Sequence, residues 1–449
     1  MTNRKLKFGL SVYGVGGPGQ HSLWKDPRIP KNASIDINWY IARAKQAETA
    51  KFDTLFIVDS QYIDASYPAH YLNRLEPLTL LSAVATHTTN LGLVATASST
   101  YNSPFNLARR LQSLDQISDG RAGWNVVTSF DVGVSRNYGL EEHLDYTTRY
   151  DRALEAVRVV QGLWDSYEDD AFVADLERGI FLDPEKLHAL NHRGTHFRVD
   201  GPLNLSRSKQ GQPVIFQAGV SPEGRNLAAH VAEGIYAPGG TIEESKEYYA
   251  DIKQRAANVG RNPDHVNILI GASPVVASTD AEAHKLAREI FESDNDFSRK
   301  LRSFGRGFGG HDFTQYDLDA PFPDVAAYAA LGRKRSTELA EHARAEGWTL
   351  RQAVEASTSF TPSPFTGDPR TVADTIEEWF HQRAFDGLNL RFRTPDDIDQ
   401  FTGEVVPLLQ EKGIFRTEYE SDTLRGNLGL PVPENRHTAA RSVQPALVG

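Results

Sequence analysis

The sequence predicts a (β/α)8 TIM barrel interrupted by two insertions, and three observations carry that expectation. Short apolar runs of β-like composition alternate with longer runs of helical period from the N-terminus onward, the pattern of βα units around a parallel sheet. About eight such strands can be counted, all reading as parallel, which fits a closed barrel better than an open doubly wound sheet. The alternation breaks down at about 166–212 and 294–365, so both stretches read as insertions into a single barrel spanning 1–430.

Lys7 to Tyr13 reads as the first strand, and apolar residues at helical spacing follow from Asp36 to Ala50. Thr54 to Val58 is a buried strand ending at Asp59, and Glu76 to Thr88 is a helix opened by a proline in its first turn. Leu91 to Thr96 and Ala122 to Thr128 are the third and fourth strands, followed by helices over Phe105 to Ile117 and Tyr150 to Trp164. From Ser166 to Gln212 the chain turns acidic, His-containing and Pro/Gly-punctuated. Val214 to Ala218 resumes the alternation, which continues through Leu227 to Ala232, Gly234 to Tyr236, Ile242 to Val259 and Val266 to Val276. The region from about Asp294 to Phe365 is read as irregular, its glycines at 303–313 marking a turn-rich loop of the kind that serves as a lid or binding loop. A helix from Arg370 to Arg383, a strand from Gly387 to Phe392 and a helix from Pro395 to Lys412 close the pattern, leaving 431–449 as a loose tail.

Composition narrows the function classes. Of 449 residues 40% are hydrophobic and 24% charged, an ordinary globular balance that excludes disordered and collagen-like chains. A formal charge of -11 repels phosphate backbones and anionic lipid, so no nucleic-acid partner is expected. The absence of cysteine removes disulfides, thiolate zinc sites, Fe–S ligation and cysteine nucleophiles. No apolar stretch is long enough for a signal core or a membrane span, so no membrane association is expected and a cytoplasmic location is the default.

Few motifs carry chemistry by themselves. Gly14, Gly16 and Gly19 satisfy G-x-G-x-x-G after a strand, but Pro18, Pro27 and Pro30 prevent the helix that a dinucleotide fingerprint needs, so this reads as a flexible loop. His188, His192 and His196 are spaced four apart without a carboxylate motif, and Gly194 argues against a helix; no metal site is assigned. Ser221-Pro222-Glu223-Gly224 places a serine at an N-cap after a buried strand, which is either a plain capped helix or an anion site. Asn125 interrupts an apolar strand, so it either stitches two strands or faces a polar ring in the barrel mouth. His21 lies in the first βα loop, on the face where a barrel keeps its chemistry; it is an exposed loop histidine or a proton-transfer group.

The block ASSTYNSPFNLARRLQSLDQISDGRAGWNVVTS at 97–129 closely resembles the signature of two-component, reduced-FMN-dependent monooxygenases of the bacterial luciferase-like superfamily, in the nitrilotriacetate and dibenzothiophene-sulfone monooxygenase branch. Matching segments cover nearly the whole chain: His21 with Trp24-Lys25, FDTLFIVDS at 52–60, RYDRALE at 149–155, PVIFQAGVSPEGR at 213–225 and RTEYESDTLRGNLGL at 416–430. The resemblance implies FMN, used as FMNH2, with O2 as co-substrate; a flavin peroxide would oxygenate a small organic molecule. A separate NAD(P)H:FMN reductase would supply the FMNH2. Carried over by position, the flavin contacts fall on Asp59, Ser98, Tyr150 and Ser221, with Asn125 beside the ring and His21 at the mouth; Asn125 and His21 are the catalytic candidates. Tyr146 stands where relatives carry a flavin-contacting histidine, keeping a hydrogen-bonding group but not an imidazolium charge.

The substrate falls in a xenobiotic, heterocycle, organosulfur or aminopolycarboxylate class. An aromatic or apolar one is favoured because only Arg299, Lys300, Arg302 and Arg306 lie near the glycine-rich tip, where Arg302 and Arg306 would form a carboxylate clamp if the segment were helical. Phe304, Phe308, Phe313 and Tyr316 would dry the site. Relatives assemble as homodimers or homotetramers, and Leu424, Leu428 and Leu430 must be buried by something. The competing readings are a deazaflavin-dependent oxidoreductase, a non-catalytic flavin-binding barrel, and a carboxylate-pair hydrolase for which no strand-end pair stands out.

Overall fold

Eight parallel strands close into the expected barrel in this computed structural model, which describes residues 4–443 apart from 18, 66, 130, 132, 295, 309, 327–333 and 359. In chain order they are β1 (Lys7–Ser11), β2 (Thr54–Ile57), β3 (Gly92–Ser98), β4 (Ala122–Val127), β5 (Val214–Gln217), β6 (Gly234–Ala237), β7 (Asn267–Ala272) and β8 (Gly387–Leu390), with β8 hydrogen-bonded to both β7 and β1. Successive side chains alternate between the helix layer and the interior. Outward residues such as Leu10, Leu55, Trp124, Ile215 and Leu388 enter the main core beneath the helices. Inward residues near the strand starts form a separate apolar cluster of Phe56, Val94, Val214, Phe216, Tyr236 and Leu269. A Cβ on Gly234 would sit 2.2 Å from the Phe216 ring, so glycine is required there for the ring to fill the axis. Toward the strand ends the interior turns polar, with Ser11 bonded to Asn389 at 3.1 Å and Asn125 to Thr96 at 2.9 Å.

The C-terminal block seals the other end. Leu424, Leu428 and Leu430 pack on the interior apolar cluster of the same chain. They therefore need no partner copy, which removes the argument for oligomerisation drawn from them. Buried arginines anchor the block: Arg416 pairs with Asp53 at 2.7 Å, and Arg425 grips both oxygens of Glu233 while donating to the Gln212 carbonyl at 3.1 Å. The tail, expected to be loose beyond Leu430, is held further on. Asn435 donates to the Tyr167 carbonyl at 2.8 Å, and Arg441, within a helix over Arg436–Val443, binds Glu168.

The 294–365 segment is not the irregular loop expected. It folds as helices Phe297–Arg306, Lys334–Ala345 and Leu350–Ser357 around a core of its own, with Phe304, Phe308, Phe313, Phe322 and Val325 buried together. Its glycines masked a helical spacing of Leu301, Phe304 and Phe308 that tertiary burial rewards. Phe304, Phe308 and Phe313 thus stabilise the insertion instead of lining the barrel mouth, and Tyr316 packs against the same cluster. Arg302 is exposed, while the Arg306 side chain lies outside the described residues. In the 166–212 insertion the three histidines share no helix: His188 meets Glu168 at 2.8 Å, and His192 meets Glu155 at 2.9 Å on a short β-ribbon. Among the described residues no group of three metal-ligating side chains converges, and no helix is long and apolar enough to cross a membrane.

Candidate active site at the barrel mouth

Ser221 follows β5 and caps the helix Pro222–Val231, its Oγ accepting from the Gly224 N–H at 3.1 Å with Pro222 in the first turn. The same oxygen receives the Tyr146 hydroxyl. Tyr146 opens the helix Tyr146–Trp164, which begins four residues earlier than expected because Asp145 caps it through the Thr148 N–H at 2.9 Å. One turn on, Tyr150 lies with its ring 5.0 Å from that of Tyr146. Burial pushes the Tyr146 phenol up to about 12, against the opposing pull of the Ser221 bond, so it stays a neutral donor. Three of the expected residues thus meet in one hydroxyl cluster at a helix N-terminus, an environment suited to an oxyanion.

Ser98 and Asn125 lie on neighbouring strands. Ser98 ends β3, buried, and its Oγ meets Ser129 Oγ at 2.7 Å. Ser129 sits at φ +51°, a conformation costing a non-glycine residue on the order of 1–3 kcal/mol, and its environment holds it there. Its carbonyl accepts from Arg149 and from His143 Nε2 at 2.9 Å. Since that nitrogen donates, His143 Nδ1 accepts from the Tyr101 hydroxyl. Burial and the Arg149 charge push the His143 imidazole down, keeping it neutral. Asn125 is 3% exposed; its Nδ2 is used by Thr96, but its Oδ1 is buried without any hydrogen-bond partner. A protein amide left in that state costs free energy unless a ligand donor meets it.

Asp59 and His21 occupy separate cavities. Asp59 follows β2 in a cavity of about 530 Å³ shared with Tyr71, Arg74 and Asn137. Arg74 pairs with it at 3.1 Å, yet burial outweighs that charge and pushes the Asp59 carboxyl up. His21 lines a cavity of about 300 Å³ with Trp24, Tyr67 and Arg299, and its backbone N–H donates to Asp294 at 3.2 Å. The first loop and the 294–365 insertion therefore meet at that point.

Sequence reasoning missed Tyr101, His143, Arg149 and Arg74. Tyr101 and His143 lie 42 positions apart, with no local signal joining them. Arg149 looks like part of a solvated helix face, although it is 8% exposed and serves backbone carbonyls.

A family model described as luciferase-like monooxygenase matches residues 19–387. The chain is 43% identical over 441 residues to N-acetyl-S-(2-succino)cysteine monooxygenase of Bacillus subtilis (strain 168), covering 97% of this chain and all of that one. It is 39% identical over 448 residues to nitrilotriacetate monooxygenase component A of Aminobacter aminovorans, covering 96% and 98% of the two chains. Among solved structures it is similar to a long-chain alkane monooxygenase, with a TM-score of 0.82, 31% identity and coverage of 98% and 100%. These matches run the length of the barrel and its insertions, and the chain belongs to the luciferase-like monooxygenase family.

Proposed function

We propose that the chain is the oxygenating component of a two-component monooxygenase, taking reduced FMN from a separate NAD(P)H:FMN reductase and oxygenating a small organic substrate with O2. The observation that carries this reading is the buried, unpartnered Oδ1 of Asn125. Its requirement for a donor inside a barrel mouth fits a flavin ring N–H. The hydroxyls of Tyr146, Tyr150 and Ser221 at the helix N-terminus fit the flavin phosphate. Ser98, fixed through Ser129, and Asp59 complete the carried-over contacts on neighbouring strands. When bound, reduced FMN supplies the two electrons by which O2 gives one oxygen atom to the substrate and the other to water.

The chain's own residues bind, orient and exclude water. Asn125 holds the ring by accepting from it, while the Thr96 bond fixes the amide so that Oδ1 is the free atom. Ser221, whose Oγ accepts from the Gly224 N–H and from the neutral Tyr146 hydroxyl, is left with its own proton to donate to the phosphate, and Tyr146 orients it. His21 and Trp24 line a cavity at the first loop, and in this reading the His21 imidazole moves a proton to or from substrate. The name of the Aminobacter relative, a component A, supports a divided system, and the names of two relatives point to carboxylate-bearing substrates.

Anaerobic titration with reduced FMN, reduced deazaflavin and oxidised FMN tests the proposal. Reduced FMN is expected to bind tightest, and the isolated chain is expected to show no NAD(P)H oxidase activity until an FMN reductase is added. Rapid NADH oxidation by the chain alone, or preferential deazaflavin binding, refutes the reading.

A further inference from the structure

The barrel mouth has a second polar pole, opposite the hydroxyl cluster. Around the ring β5 lies four strands from β1 in either direction, so Ser221 and the β1 end face each other across the mouth. Arg391 follows β8, and its backbone N–H still donates to the Ala272 carbonyl at 2.9 Å, extending the ladder. Strand alternation puts it on the inward side with Asn389, whose amide meets Ser11 inside the barrel. Tyr13 stands two residues beyond Ser11 on the adjoining strand end, in contact with Arg391.

Of the two arginines at this pole, Arg74 is ion-paired with Asp59, whereas Arg391 is not. Among the described residues Arg391 has no carboxylate at ion-pair distance, and its Nε is buried without a hydrogen-bond partner. Arg74 spends one edge on Asp59 and on the Ser60 carbonyl at 2.6 Å, leaving Nη1 buried and unpartnered. Burial pushes the Tyr13 phenol up, and the charges of Arg391 and Arg74 pull against it. Nearby His70, bonded to Ser34 at 2.9 Å, is neutral and offers no counter-charge. A partly buried guanidinium without an anion is costly, and its planar donor edge matches a carboxylate.

We propose that Arg391 and Tyr13, with the unused Nη1 of Arg74 nearby, form the receptor for a carboxylate of the organic substrate. The inference rests on the flavin reading above and specifies its substrate class as anionic. It reverses the preference read from the glycine-rich tip, because the cations come from strand ends and the first loop instead of from the insertion. Gln20, which donates to the Phe392 carbonyl at 3.1 Å, ties the His21 loop to the same strand end, so a carboxylate held by Arg391 lies beneath that loop.

Calorimetric titration of the flavin-free protein tests the proposal with N-acetyl-S-(2-succino)cysteine, nitrilotriacetate and succinate, their methyl esters, and inorganic phosphate. At least one acid is expected to bind ten times or more tighter than its ester, weakening as salt is raised. Arg391→Gln is expected to abolish that preference and Arg391→Lys to retain part of it, while reduced FMN binds both variants within twofold of wild type. The proposal is overturned if no acid binds, if acids and esters bind alike, or if phosphate binds as tightly as the acids. It is also overturned if Arg391→Gln weakens FMN as much as the acids, which would assign the arginine to the flavin. The acid-to-ester ratio of the wild type decides even if a variant misfolds. Failure of reduced FMN to bind the wild type refutes the flavin reading separately, since the carboxylate arm is read without flavin.

Discussion

Ser221 does two things that substitution can separate. Its Oγ caps the helix Pro222–Val231 through the Gly224 N–H at 3.1 Å and accepts from the Tyr146 hydroxyl, and in the proposed function its own proton goes to the flavin phosphate. Losing an N-cap to alanine costs about 1 kcal/mol of stability, whereas glycine at that position costs only a few tenths. Losing a hydrogen bond to a charged group costs about 1.5–3 kcal/mol, or roughly 10- to 150-fold in dissociation constant. Ser221→Ala and Ser221→Gly are therefore expected to weaken reduced FMN by the same factor, read by anaerobic fluorescence titration, while only the alanine variant melts measurably lower. Tyr146→Phe should weaken FMN less after Ser221→Ala than before it, because the Tyr146 hydroxyl donates to Ser221 and acts through it. If both Ser221 variants bind FMN like wild type and the alanine variant alone loses stability, Ser221 is a plain cap and the phosphate site lies elsewhere.

Asn125→Leu removes the orphaned Oδ1 together with the bond to Thr96, so we expect stability to change by no more than about 1 kcal/mol while reduced FMN binds at least tenfold more weakly; equal FMN affinity would refute the ring contact. His70, 1% exposed, is pushed from its ordinary 6.5 down to about 3, chiefly by burial and then by Arg74. The unfolded chain thus takes up a proton below 6.5 that the folded chain refuses, and this stability is lost as pH falls from about 6.5 toward 3, by up to about 1.4 kcal/mol per pH unit; melting curves of His70→Gln should show a shallower acid slope. Arg425→Met leaves the Glu233 carboxylate, which Nη1 and Nη2 of the guanidinium hold, without its partner, and we expect a loss of about 3–5 kcal/mol in denaturant titration, largely restored by adding Glu233→Gln. Truncation at Phe415 strips Leu424, Leu428 and Leu430 from the barrel interior, so an insoluble or molten product is expected by near-ultraviolet circular dichroism.

Barrel strands were legible because buried parallel strands read as continuous apolar runs between turn residues, and their bounds shifted by few positions. Helix starts were legible where a proline marks the first turn, as at Pro77 and Pro222, and were missed at Tyr146, where an aspartate cap carries the signal. The 294–365 helices were hidden by glycines whose propensity cost is repaid only by an aromatic core assembled from distant positions. Within the site, Ser221 and Asn125 were visible because each breaks a local rule: one ends an apolar strand at a proline, the other puts an amide into a buried run. Arg391 breaks none, standing in a polar strand end. What makes it notable is a buried Nε without a hydrogen-bond partner and, among the described residues, no carboxylate at ion-pair distance, a property of the assembled mouth that no spacing encodes.

The ends of this barrel are chemically unequal, and that asymmetry fixes where specificity arises. The end at the strand starts is filled with Phe216, Tyr236 and the leucines of the C-terminal block, so ligands enter only where the interior is polar. At that mouth the hydroxyl cluster of Tyr146 and Ser221 beyond β5 and Arg391 beyond β8 stand on opposite sides of the ring of strands, and in the proposed function the flavin ring would be held from Asn125 on β4. The 294–365 insertion, having its own core, meets the first loop as a formed unit: Asp294 accepts from the His21 N–H while also lying 3.6 Å from Arg299, which lines the cavity beside Trp24. We therefore expect substrate choice to depend on this junction, together with Arg391, more than on the glycine-rich tip. Exchanging the insertion for a relative's should alter the substrate profile only when the Asp294 and Arg299 contacts change with it, and a chimera that keeps both residues yet shifts its substrate range, with FMN affinity intact, would place the determinant in the tip.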